Sequence, residues 1–264
     1  EAPPSVTRAL SGSPRAISRI RRRAIHVLSA ILVLVVLAIV TLVTWANIVM
    51  QGERGPALLA WRDRQVTITS TDHSIVLSPR SGATGTGLVF IPGAKVDPYA
   101  YLYKLSGIVE KGVTVVITKP ILNLALLDQR PLATFTADAP GVTRWFVGGH
   151  SLGGVRACML ADSTAQPDVA GLVLFGSYCA NDLSHTQLTV LSIGGERDGL
   201  STPAKIDAAK DMLPSSATLV EIPGSNHARF GDYGEQPGDG IATISSATAR
   251  AEITAALAAI LVGE

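Results

Sequence analysis

The chain opens polar, becomes apolar without a break, and then settles into short apolar runs separated by amphipathic segments. Residues 1–24 are rich in Pro, Ser and Arg with no apolar period, which predicts a disordered basic tail. Residues 25–48 predict a transmembrane helix. Their core, Val27–Ala46, carries no charged residue, and about 20 helical residues at about 1.5 Å each cross the ~30 Å hydrocarbon layer of a bilayer. Trp45 stands where an interfacial aromatic would sit. A cleaved signal peptide has a shorter apolar core and a small-residue cleavage site, and a buried soluble helix is seldom apolar on every face; a retained anchor fits better than either. Arg15, Arg19, Arg21, Arg22 and Arg23 precede the span, while the charges after it balance. The positive-inside tendency therefore predicts a single-pass protein of the cell membrane, with its tail in the cytoplasm and everything after residue 50 outside.

Residues 49–64, with Gly52, Gly55 and Pro56, read as a linker. Residues 65–264 read as one folded domain, long enough to bury a core of its own. Gln65–Ser70 and Ser74–Ser78 alternate like an antiparallel edge pair. Thereafter apolar runs at Gly87–Ile91, Val113–Thr118, Arg144–Val147, Gly171–Phe175, Leu188–Ile193 and Thr218–Ile222 predict buried strands. Between them Pro98–Glu110, Ile121–Ala137, Leu152–Asp162 and Pro203–Met212 predict helices, and a last helix begins at Ser246. All-apolar strands alternating with helices predict an α/β fold whose mostly parallel sheet is covered on both faces.

Composition changes this picture little. A formal net charge of +1 gives no reason to expect a nucleic-acid partner. No phosphate-cradling loop is present, and two cysteines and five scattered histidines lack metal-ligand spacing, so neither cofactor nor metal is expected. The chain starts at Glu1 rather than Met, which leaves room for further N-terminal sequence.

The chemistry concentrates at Gly149-His150-Ser151-Leu152-Gly153, between a predicted strand and a predicted helix. This is the Gly-x-Ser-x-Gly nucleophile elbow: a sharp turn exposes the serine hydroxyl, and the helix start directs free N–H groups toward it. Serine is a weak nucleophile until an imidazole takes its proton and a carboxylate orients that imidazole. Such groups belong at the carboxyl ends of neighbouring parallel strands. There lie Asp198, after Leu188–Ile193, and His227, after Thr218–Ile222. The chain order Ser151, Asp198, His227 is that of an α/β-hydrolase. Glu196 and Asp182 are the alternative acids, and His150 reads as a packed residue holding the elbow. Oxyanion donors are expected from the N–H of Leu152 and from the N–H of Ala94, in the loop after Gly87–Ile91. Lys95 of that loop is either a contact for an anionic substrate group or a solvated side chain.

Through the elbow, the triad order and Pro92-Gly93, residues 65–264 resemble the α/β-hydrolase superfamily. They look most like its small bacterial members grouped loosely with dienelactone hydrolases. His227–Gly234 followed by Gly238-Asp239-Gly240 resembles a signature of one membrane-linked subgroup. Dienelactone hydrolases proper carry a cysteine nucleophile where this chain has Ser151, so the resemblance implies ester hydrolysis without naming the substrate. Where such proteins often carry a lid, only Gly176–Gln187 lies between the strands, which predicts an open site for small acyl esters. A lipid or cell-envelope ester is the competing expectation. The expected function is that of a membrane-anchored serine hydrolase, a carboxylesterase. An acyltransferase or peptidase of the same fold and a non-catalytic binding module are the rivals. Cys158 and Cys179 fall on the extracytoplasmic side, where both a disulfide and two buried thiols stay open.

Overall fold

The computed structural model describes residues 14–162 and 169–263. The chain divides into two compact units, residues 1–45 and 46–264. The first is dominated by α1 (Pro14–Asn47), of which Arg21–Asn47 is long and apolar enough to cross a membrane. The helix starts at Pro14, so the stretch from there to residue 24 is helical rather than irregular. Continuing an existing helix is far easier than nucleating one, and the apolar run supplies the nucleus. Residues 1–13 of the expected tail lie outside the described residues.

In the second unit the expected linker holds a helix, α2 (Arg54–Arg62). Pro56 had marked a break, but it falls in the first helical turn, where its missing N–H has no intrahelical acceptor to serve. Then follow β1 (Val66–Ser70), β2 (Ser74–Pro79), β3 (Thr86–Ile91), α3 (Leu102–Glu110), β4 (Thr114–Thr118), α4 (Ala133–Thr136), β5 (Arg144–His150) and α5 (Leu152–Ala161). The chain finishes with β6 (Gly171–Phe175), β7 (Thr189–Gly195), α6 (Pro203–Ala208), β8 (Thr218–Ile222) and α7 (Ser246–Leu261).

The strands form one eight-stranded sheet in the order β1-β2-β4-β3-β5-β6-β7-β8. The β1–β2 and β2–β4 pairs are antiparallel and the others parallel. Side chains alternate between two cores, as the two-residue period of a strand requires. Leu88, Phe90, Phe146, Val173, Phe175, Leu191 and Ile193 enter the core that also holds Leu105 of α3 and Leu257 of α7. Val89, Ile91, Val147, Leu172, Leu174 and Val190 enter the other, with Phe135 of α4 and Ala157 of α5. Strands buried on both faces are why the sequence shows continuous apolar runs here.

One expected helix does not form. Between Ile121 and Ala137 the chain makes two 3₁₀ turns, Ile121–Asn123 and Ala125–Leu127, and only the four-residue α4. Leu122 and Asn123 are left-handed, at φ 54° and 55°, and Pro131 both lacks an N–H and disfavours helical geometry at Arg130.

Cys158 of α5 and Cys179, beyond β6, are joined by a disulfide with Cα atoms 5.6 Å apart. A closed loop of this size removes about 3 kcal/mol of chain entropy from the unfolded state. Replacing both cysteines with serine should therefore lower unfolding free energy by about 3 kcal/mol in urea titrations; an unchanged midpoint and slope would show that the bridge adds no stability.

Candidate active site

The site sits where the sheet order reverses, between the carboxyl ends of β3 and β5, the place where open parallel sheets gather their ligands. β5 runs into the elbow as far as His150, α5 starts at Leu152, and Ser151 alone makes the turn at φ 53°, ψ −126°. That is a strained conformation for a residue with a side chain. The Ser151 N–H donates to Phe175 O (3.1 Å), and Ser151 O accepts from Gly154 N–H (2.9 Å) and from the hydroxyl of Ser177 (2.8 Å). The approach of helix to strand admits no side chain at Gly153: a Cβ there would lie 2.1 Å from Ile91 O and 2.4 Å from Pro92 O.

The next two strands bring Asp198 and His227 together. His227 Nδ1 and Asp198 Oδ2 are 2.7 Å apart, both buried. Asp198 Oδ1 is taken up by the N–H groups of Leu200 (2.8 Å) and Ser201 (2.7 Å), which leaves Oδ2 to the imidazole. A proton held on Nδ1 leaves Nε2 with its lone pair, and among the described residues this buried Nε2 has no hydrogen-bond partner. Gly176, at φ 46°, closes over the pair; a Cβ would stand 2.9 Å from Asp198 Oδ2 and 3.1 Å from His227 Nδ1. Neither alternative acid pairs with the imidazole. Glu196 accepts from Gly224 N–H (2.6 Å) and so braces the turn after β8, while the exposed Asp182 accepts from Ser184 N–H (2.9 Å).

Asp239 was not among the residues the sequence singled out for a role at the site. Its Oδ1 accepts from the N–H groups of Gly199 (3.1 Å), His227 (3.1 Å) and Gly240 (2.8 Å), and its Oδ2 from Ala228 (2.9 Å). One carboxylate thus ties the loop carrying Asp198 to the loop carrying His227. Asn226 reinforces it through a bond from Nδ2 to Gly240 O (2.7 Å). Gly238-Asp239-Gly240 was the visible signal, but nothing in the spacing says which backbone groups the carboxylate meets.

The loop after β3 is organised around Tyr101. Gly93 N–H donates to the buried Tyr101 hydroxyl (3.0 Å), which stands 2.9 Å from His150 Nδ1. Lys95 N–H donates to Asn123 O (2.8 Å) and Val96 N–H to Gly93 O (3.2 Å). Among the described residues the N–H groups of Ala94 and Leu152 donate to nothing. Lys95 is half-buried on this loop, in the left-handed region at φ 57°. His150 is packed, as the sequence leads one to expect, with its ring 4.3 Å from that of His227 and 5.8 Å from that of Phe230. Burial first, and then the neighbouring His227, hold the His150 imidazole well below its ordinary pKa, while burial pushes the Tyr101 phenol up. Both groups stay neutral and serve as a hydrogen-bonded brace.

The unfolded chain, by contrast, protonates His150 at about pH 6.5. Below that pH the unfolded state binds a proton that the folded state refuses, so stability falls as the solution is acidified. His150→Gln should flatten the slope of unfolding free energy between pH 7 and 5 by up to about 1.4 kcal/mol per pH unit; identical slopes would place the proton uptake elsewhere.

The geometry matches known proteins of one kind. Residues 87–251 match the model of the alpha/beta hydrolase family. A dienelactone hydrolase from Anabaena variabilis ATCC 29413 superposes with a TM-score of 0.54 at 17% identity, covering 75% of this chain and 100% of that one, a likeness of fold. A comparison with curated proteins returns no match. With a family match across most of the sheet and the topology to go with it, the chain belongs to the alpha/beta hydrolase family.

Proposed function

We propose that the protein is a membrane-anchored serine hydrolase, a carboxylesterase working through an acyl-enzyme. The observation that carries this reading is the buried 2.7 Å bond between Asp198 Oδ2 and His227 Nδ1, on strand ends next to an elbow that presents Ser151. His227 Nε2 takes the Ser151 proton as Oγ attacks the ester carbonyl. The oxyanion is met by the N–H groups of Leu152 and Ala94, which among the described residues have no other acceptor. His227 then gives the proton to the departing alkoxide, and the acyl group stays on Ser151. Water, deprotonated by the same nitrogen, attacks the acyl carbon; the bond to Ser151 Oγ breaks, the imidazolium returns its proton to Oγ, and the acid leaves. Asp198 keeps its charge throughout and stabilises the imidazolium. Lys95 lies on the same loop as Ala94 and is the residue of that loop assigned to an anionic group on the substrate.

The anchor is the segment Arg21–Asn47 of α1. Between β6 and β7 there is no helix to form a cap, which supports an open site that accepts small acyl groups. The likeness to a dienelactone hydrolase supports hydrolysis as the reaction type.

Ser151→Ala should abolish both p-nitrophenyl acetate turnover and labelling by a fluorophosphonate; undiminished labelling would refute the assignment. Asp239→Ala loosens the loops that hold Asp198 and His227 without touching substrate. It should lower kcat about 10- to 100-fold with KM little changed, and a rise in KM alone would assign Asp239 to binding.

A further inference from the structure

We propose that the mouth of the Ser151 site opens onto the membrane surface. The enzyme then takes its ester from the bilayer, as an amphiphile whose apolar body remains in the lipid. This rests on the reading of the chain as an anchored serine hydrolase and names its substrate class.

Covalent reach sets the position. α1 ends at Asn47, and three residues later Met50 is paired with Val96 of the oxyanion loop. Met50 N–H donates to Lys95 O (2.7 Å), and Asp97 N–H to Met50 O (3.0 Å). An extended chain covers at most about 3.5 Å per residue, so this loop lies within roughly 10 Å of the end of the span. A second contact is closer still. Asn123 Nδ2 donates to the carbonyl of the buried Ala46 (3.1 Å), and Ala46 lies in the last turn of the apolar helix. The same Asn123 accepts from Lys95 N–H. The segment after β4 is therefore held at once to the end of the span and to the oxyanion loop.

That segment is apolar and unburied. Ile121, Leu126 and Leu127 flank Asn123 with 48%, 39% and 51% of their surface exposed, Ile48 is 66% exposed and Leu152, first residue of α5, 40%. Elsewhere in this unit Met212, Leu219 and Ile241 stand on separate elements, and Leu59 and Trp61 share α2. A water-facing protein rarely leaves so many together. Here the rim adjoins a helix end that the bilayer itself would surround. An open site then suits the substrate: the small acyl group enters the protein, and the chain of the amphiphile stays in the lipid.

The test uses the full chain reconstituted in phosphatidylcholine vesicles. The two native cysteines are joined to each other, so Leu127→Cys and Leu219→Cys can each be labelled with a single NBD fluorophore. Doxyl-phosphatidylcholine should quench the probe at 127 at least twofold and leave the probe at 219 unchanged. An unquenched probe at 127 overturns the proposal, and an unquenched but blue-shifted one assigns the rim to a protein partner. In the second arm, the triple variant Ile121→Ser, Leu126→Ser, Leu127→Ser should lose at least tenfold on a fluorogenic ester lipid in the vesicles. On water-soluble p-nitrophenyl acetate it should stay within twofold of the unaltered chain. Equal loss on both substrates, or none, overturns delivery from the bilayer. Quenching at 127 in a chain that hydrolyses neither ester would keep the rim at the membrane and sink the hydrolase reading with its substrate.

Discussion

The structure depends on one close approach, between the first turn of α5 and the end of β3. Gly153 sits so near Ile91 O and Pro92 O that even a methyl group is excluded. This contact lets β5 reach the turn, forces Ser151 into its strained conformation, and sets the start of α5 beside the loop that carries Ala94. Positive backbone ends and the proposed nucleophile thus converge without any charged side chain having to be desolvated among them. A bulkier residue at 153 would separate helix from strand and undo all three relations together.

Around that approach, the polar groups are held mostly by backbone. Asp198 is oriented by two N–H groups and Asp239 by four. Hydrogen bonds from backbone fix a carboxylate with little entropy still to lose, since the loop dihedrals are already set by the strands. Tyr101 and His150 do the same for the loop after β3 as a neutral pair. Two fixed loops and a braced third hold His227 against Asp198 with its Nε2 unpaired among the described residues.

Much of this was legible in the sequence because its physical causes are local. Buried strands announce themselves as apolar runs, and the elbow by glycines around one serine; the positions after each strand then single out Asp198 and His227, which the structure brings together as a pair. What escaped was set by tertiary contacts. The strand before the elbow stops at Val147 in the sequence reading because Gly148 and Gly149 look like breakers, yet parallel pairing with β3 and β6 carries it to His150. Pro56 has the character of a linker residue in the sequence, yet it occupies the first turn of α2. The absent helix after Ile121 follows from left-handed Leu122 and Asn123, whose conformation is tied to Lys95 and Ala46, remote in sequence. Ser177 bonds to a backbone group 26 residues away and Asp239 to ones as far as 40 residues away, which no periodicity records.

The central claim is that Ser151 attacks because His227 removes its proton. Its most direct measurement is the rate of phosphonylation by a fluorophosphonate, mapped to peptides by mass spectrometry, in the native chain and in His227→Asn. The account predicts the adduct on Ser151 alone and a rate at least 100-fold lower in the variant. An adduct on another residue, or an undiminished rate in His227→Asn, would contradict it.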